Sequence, residues 1–270
     1  MPCLFCKEVA DTSKSIEHII PESLGNIEHV LQPGIVCDDC NNYFAIKIEK
    51  VLLEQPYFKS LRHRNDIISK KGNYVPEKGI ILHPQGGPVN VYREKNRIIV
   101  DMNEQIAGLV KSGLVNKLLI PTGELEPAPN NTILSRFLAK VSVEALLHWI
   151  KDEPFWIEEI MTKPELDDIK MYARYGKTVK FWPYHQRRIY NEEDRFLNPE
   201  LQKDPYEVLH EFRFFWTKEN EFYFVLAIMG IEYAINMGGP SIDSYKTWLL
   251  ENNARSILEW DKEQLIKGGN

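Results

Sequence analysis

Long apolar runs are missing from this chain of 270 residues. Nothing in it approaches the roughly 20 consecutive apolar residues that a helix needs to cross a bilayer, so no membrane partner is expected. A secretory leader is not visible either, because Cys3 and Cys6 stand where its basic and apolar regions would have to be. The expected location is therefore cytoplasmic. Repeats of solenoid period and low-complexity tracts are also absent, which sets aside arrays and extended tails. Positive charge is in deficit: 33 Lys and Arg face 39 Asp and Glu, for a net charge of -6. That balance gives no global attraction to a polyanion, so any hold on nucleic acid must come from local basic patches. Scarcest of all is cysteine, with four in the chain.

Those four fall as two pairs, Cys3-Leu4-Phe5-Cys6 and Cys37-Asp38-Asp39-Cys40, separated by 30 residues. A reducing compartment keeps thiols free, and two C-x-x-C pairs at this spacing supply the four ligands of a structural, tetrahedral Zn2+ site. Between the pairs lies Glu17-His18-Ile19-Ile20-Pro21, and Asn41 follows the last thiol. An acid, an imidazole and an amide gathered beside a zinc knot can hold a second metal and a phosphodiester.

Periodicity places these residues on elements. Residues 16–20 are β-branched enough for a strand, Leu24-Gly25-Asn26 is a turn, and a second extended piece is expected at 34–36. Residues 41–54 read as a helix, with Phe44, Ile48, Val51 and Leu52 in one stripe and Pro56 as its stop. The order is strand, loop, strand, helix. Further on, 89–92 and 97–100 form a hairpin around Arg93-Glu94-Lys95-Asn96, and 121–131, rich in Pro, Gly and Asn, is a linker or surface loop. Residues 132–150 make an amphipathic helix capped by Asn130 or Asn131. Alternation with period two marks strands at 208–216 and 231–237, the run 222–229, apolar on both faces, reads as a buried central strand between them, and the tail from 245 to 265 is expected as helical cover. The fold class is α+β: a small N-terminal unit and a larger body with an antiparallel sheet. The expected divisions are 1–56, the zinc unit; 57–125, a basic segment, hairpin and linker; and 126–270, an α+β domain.

Cys3-x-x-Cys6, Glu17-His18-Ile19-Ile20-Pro21, Gly25 and Cys37-x-x-Cys40-Asn41-Asn42 resemble the zinc-stabilised HNH endonucleases, whose ββα-metal unit cuts DNA and less often RNA. The resemblance covers residues 1–56. It implies that His18 is the general base, that Glu17 and Asn41 ligate a catalytic Mg2+ or Mn2+, and that Gln32, in place of the usual middle Asn, orients His18. His29 is a rival for a place in the site. Double-stranded DNA is the partner so implied. A homodimer is compatible with it. A zinc-knuckle protein that binds without cutting is the alternative.

Two basic stretches are candidates for phosphate contact. One, 57–71, carries Lys59, Arg62, Arg64, Lys70 and Lys71 against the single acid Asp66. The other, 170–190, carries Lys170, Arg174, Lys177, Lys180, Arg187 and Arg188, interleaved with Tyr172, Tyr175, Phe181, Trp182 and Tyr184. Arg62, Arg64, Lys70, Lys71, Lys177, Arg187 and Arg188 are the residues expected to touch nucleic acid. The competing reading of the second stretch is a solvated face whose aromatic rings turn into the core.

Overall fold

The structure is a computed structural model that describes residues 2–95, 97–121, 123–197, 203–259 and 264–266. Asn96, Thr122 and 260–263, which fall in the expected hairpin turn, linker and tail, lie outside the described residues. The elements follow in chain order. β1 (Glu17–His18) and β2 (Val30–Leu31) precede α1 (Asp38–Phe44), which runs through a π-helical segment, Ala45–Glu49, into α2 (Lys50–Leu53). Then come α3 (Pro56–Arg64), β3 (Glu77–Ile81), β4 (Pro88–Glu94), β5 (Arg97–Asp101), α4 (Glu104–Lys111) and β6 (Leu118–Leu119). After these lie α5 (Thr132–Trp149), α6 (Pro154–Thr162), α7 (Asp167–Tyr175), β7 (Tyr184–Arg188) and β8 (Arg195–Leu197). The last are β9 (His210–Trp216), β10 (Phe222–Ile228), β11 (Ile231–Asn236), α8 (Asp243–Glu251) and β12 (Gln264–Ile266). Helices and antiparallel sheets coexist, so the class is α+β.

The chain forms two compact units: Met1–Ile20, Ile27–Lys50 and Ala128–Asn270 make the first, Pro21–Asn26 and Val51–Pro127 the second. In the first, an antiparallel sheet runs in the order β7-β11-β10-β9. β10 is buried over almost its whole length, as a run apolar on both faces requires. Tyr223, Val225 and Ala227 pack on Tyr245 and Leu249 of α8. On the other face Phe212, Phe214 and Phe224 cluster edge-on and tilted, and Trp149 of α5 lies flat on Phe214 at 5.4 Å. Met229 and Gly230 turn the chain between β10 and β11 with φ of 48° and 80°, the paired left-handed geometry of a type I′ hairpin. Only glycine fits second, since a Cβ there would lie 2.0 Å from the Tyr190 carbonyl oxygen.

α5 is the central strut of this unit. Asn131 caps it, its Oδ1 accepting from the Ile133 and Leu134 amides at 3.1 Å. In the second unit the sheet order is β5-β4-β3-β6, and Ile81, Val89 and Val91 close on Ile106 and Leu109 of α4. Among the described residues no helix is long and apolar enough to cross a membrane.

Four expectations need correction. The second strand is at Val30–Leu31 rather than 34–36, because Pro33-Gly34 is a turn with Gly34 at φ 91°. The helix begins at Asp38, not Asn41, so Cys40 is already in its first turn, while Val51 is exposed. The helix ends at Leu53, ahead of Pro56 as expected, but Pro56 also starts a further helix, since the first helical position needs no N–H from its ring nitrogen. The C-terminal tail is α-helical only to Glu251, a short 3-10 turn follows at Ile257–Glu259, and Gln264–Ile266 pairs antiparallel with β8.

Candidate functional site

Cys3 and Cys6 sit in the first turn of the chain, Cys37 is the N-cap residue of α1, and Cys40 lies in the first turn of that helix. Their four Sγ atoms fall within 4.8 Å of one another, and Cys6 and Cys37 approach to 3.5 Å. Zinc–thiolate bonds of about 2.3 Å at tetrahedral angles place sulfurs about 3.8 Å apart, so the donor set fits Zn2+. The thiols are free rather than paired as disulfides. Surrounding donors brace them: the Cys37 amide points to Cys3 Sγ and Arg174 Nε to Cys40 Sγ, both at 3.3 Å. Hydrogen bonding from Cys40 pulls the Cys3 thiol down to about 4, whereas burial pushes Cys6 up to about 11. Cys40 is raised, first by its bond with Cys3 and then by burial. A cluster that favours one thiolate and resists further negative charge is a site that a dication completes.

β1 pairs with β2 through Glu17 opposite Leu31 and His18 opposite Val30. Adjacent strand residues face opposite ways, and they do so here: Glu17 is 5% exposed while His18 is half-buried. Glu17 Oε1 pairs with Lys140 Nζ at 2.5 Å, and the same buried ammonium reaches Glu49 at 2.7 Å, Glu144 at 3.1 Å and the His18 carbonyl at 3.0 Å. Burial raises Glu17 to about 7 against the pull of Lys140, and it raises Glu144 as well. From the helix side, Asn41 donates Nδ2 to the Ile16 carbonyl at 3.2 Å, and Asp38 accepts from the Lys14 and Ser15 amides. The strand carrying the acid and imidazole is thus tied to the helix carrying Asn41.

Residues 3–56 match the HNH endonuclease family. No curated protein and no solved structure matches the chain.

Within the HNH segment the oxygens available to a second metal can be tested against Mg2+. Glu17 commits one oxygen to Lys140, and its buried Oε2 has no hydrogen-bond partner. Asn41 has its amide nitrogen engaged, which leaves Oδ1 as the oxygen it can offer. A carboxylate oxygen and an amide oxygen are donors of the type a hard dication takes, while Glu17 itself is buried against Lys140, on the strand face opposite His18. Gln32 is exposed just past β2, and His29 packs edge-on against His148 and His210.

The basic candidates separate into engaged and exposed groups. Arg62 is 8% exposed, and burial lowers its pKa; Arg187 pairs with the buried Glu232 at 2.6 Å. Arg188 is half-buried on β7, Lys70 lies 3.6 Å from Glu22, and Lys71 and Lys177 are exposed. The aromatic rings of the second stretch divide, with Tyr172 and Trp182 in the core and Tyr175 exposed. Sequence reading missed Arg93 and Arg97. The β4–β5 hairpin brings them beside Arg64, and the three arginines line a cavity of about 350 Å³ with Asp66. Their signal was the basic turn itself, read only as a turn. Lys140 was missed as well, its charge hidden in an apolar helix.

Proposed function

We propose that the protein is an HNH-type endonuclease that hydrolyses DNA phosphodiester bonds, leaving 5′-phosphate and 3′-hydroxyl ends. What supports the reading is the joining of the Glu17–His18 strand to the Asn41 helix beside four convergent thiols, within the segment that matches the family. His18 takes a proton from the attacking water, a task suited to imidazole because the unperturbed group titrates near neutrality. Glu17 Oε2 and Asn41 Oδ1 would hold Mg2+ or Mn2+, and the ion would stabilise charge on the phosphorane and leaving oxygen. Arg64, Arg93 and Arg97, with Lys71 and Lys177, offer positive charge for the DNA backbone.

A second reading, a zinc-knuckle protein that binds without cutting, draws on the seal between Glu17 and Lys140. One assay separates the two. Zinc-loaded protein with Mg2+ or Mn2+ should nick supercoiled plasmid, and His18→Ala should abolish nicking; linear product would mark paired cuts by a homodimer. An intact plasmid, or equal nicking by His18→Ala, rejects the enzyme reading.

A further inference from the structure

The first unit holds a cavity of about 640 Å³ whose lining includes none of the residues given a role above. Ligand pockets run from about 300 to 1,000 Å³ and join apolar walls to a few fixed polar groups. Here Leu146, Ile160, Leu166, Trp216, Phe222 and Met237 supply apolar walls. Trp216 stacks on Phe222 at 4.7 Å with 29° between the rings, Phe222 on Phe214 at 5.6 Å, and Phe214 on Trp149 at 5.4 Å. Four rings thus form one row, and both terminal indoles are exposed, Trp216 at 60% and Trp149 at 65%. A flat ring entering the cavity meets a stacking surface already in place.

The polar groups say which ring. Glu221 lines the cavity, and its Oε2 accepts from the Tyr223 hydroxyl at 2.9 Å and from Ser244 Oγ. Two hydroxyls therefore pin the carboxylate, and its other oxygen remains to accept from a ligand. Asn236, 2% exposed, is held by the Gly238 amide on its Oδ1 at 2.9 Å. Glu165 and Glu221 outnumber Lys163, whose amine lies 3.4 Å from Glu159, so charge disfavours an anion.

We propose that this cavity binds a nucleobase: a flat heterocycle stacked on the open face of Trp216 and donating an amino or ring N–H to Glu221. The base can come from a free nucleoside or from a nucleic-acid strand that turns one base outward. The inference does not rest on cleavage, because binding is read without turnover.

The test is calorimetric titration of the zinc-loaded full chain with adenosine, cytidine and guanosine, and with a single-stranded oligonucleotide with and without one abasic position. At least one nucleoside, or the intact oligonucleotide in preference to the abasic one, should bind. Trp216→Ala and Glu221→Gln should each weaken that binding roughly tenfold or more while circular dichroism stays unchanged. Glutamine keeps an acceptor for Tyr223 and Ser244, and Trp216 is exposed, so neither change threatens the fold. Nucleoside binding identifies a free ligand, and loss at the abasic position identifies a strand. No binding in either arm, binding unaffected by both variants, or tighter binding of phenethylamine than of any nucleoside overturns the proposal.

Discussion

Replacing Lys140 with methionine removes one ammonium from between three carboxylates, at 2.5 Å from Glu17, 2.7 Å from Glu49 and 3.1 Å from Glu144. Both Lys140 and Glu144 have fully buried side chains, and Glu17 is nearly so. Leaving buried charge without its partner costs about 3–5 kcal/mol. The pH dependence has a definite sign. Glu17 already sits at about 7 rather than 4.5, because burial outweighs Lys140; without the ammonium it rises further. A carboxyl raised in the folded state contributes most below its unfolded value, and that contribution is lost as pH climbs through the folded value. Lys140→Met should therefore destabilise the first unit by about 3–5 kcal/mol at about pH 8, but by only about 1–2 kcal/mol at about pH 5, where the acids accept protons at little cost. Urea unfolding of both proteins at each pH, followed by far-ultraviolet circular dichroism, measures the difference, and Glu17→Gln added to Lys140→Met should recover part of it at the higher pH. A loss under about 1 kcal/mol at about pH 8, or one that grows on acidification, refutes the buried-cluster reasoning.

Elemental analysis should find about one zinc per chain, and Cys40→Ser should lose it; chelation should make residues 3–56 cleave faster under limited proteolysis, whereas metal-free protein of equal protease resistance would exclude a structural zinc. Burial holds Lys170 down at about 8 while its amine donates to the Ile160 and Met161 carbonyls at 3.0 Å. A base lowered in the folded state costs stability in full below its folded value and ceases to cost as pH rises toward its unfolded value, so unfolding free energy should rise from about pH 8 to about pH 10 by about 2–3 kcal/mol. Lys170→Met should lack that rise, and parallel pH curves for the two proteins would contradict it.

Local chemistry made some of this molecule legible in its sequence. The thiol spacing, the Asn131 cap and the period-two run through β9, β10 and β11 are fixed by residues near one another in the chain, and each appears where expected. What sequence did not disclose depends on distant partners. Lys140 and Glu144 stand one turn apart in a mostly buried helix, an i, i+4 pair that signals a buried polar contact. Nothing local says that Glu17 and Glu49 complete it. In the same way, Arg64 meets Arg93 and Arg97 only because a hairpin folds back toward α3. The second strand was misplaced because β-branched Ile35 and Val36 resemble a strand, while the turn at Pro33-Gly34 uses them as buried plugs.

The arrangement around His18 also explains why a long helix from the body belongs to so small a site. β1 contributes two residues and two pairings, and a lone hairpin in water is marginal even when longer. Its position must be imposed from outside. Asn41 takes hold of the Ile16 carbonyl on one side of Glu17–His18, from a helix whose start is fixed by the thiols. On the other side Lys140 takes the His18 carbonyl at 3.0 Å, from the middle of α5. Two grips flanking a dipeptide restrict it far more than either alone, and the proposed general base at His18 would need to be held to within about 0.5 Å to work. Residues 1–56 alone would keep all four thiols and Asn41 but lose Lys140, leaving Glu17 without its cation and the imidazole anchored from one side only.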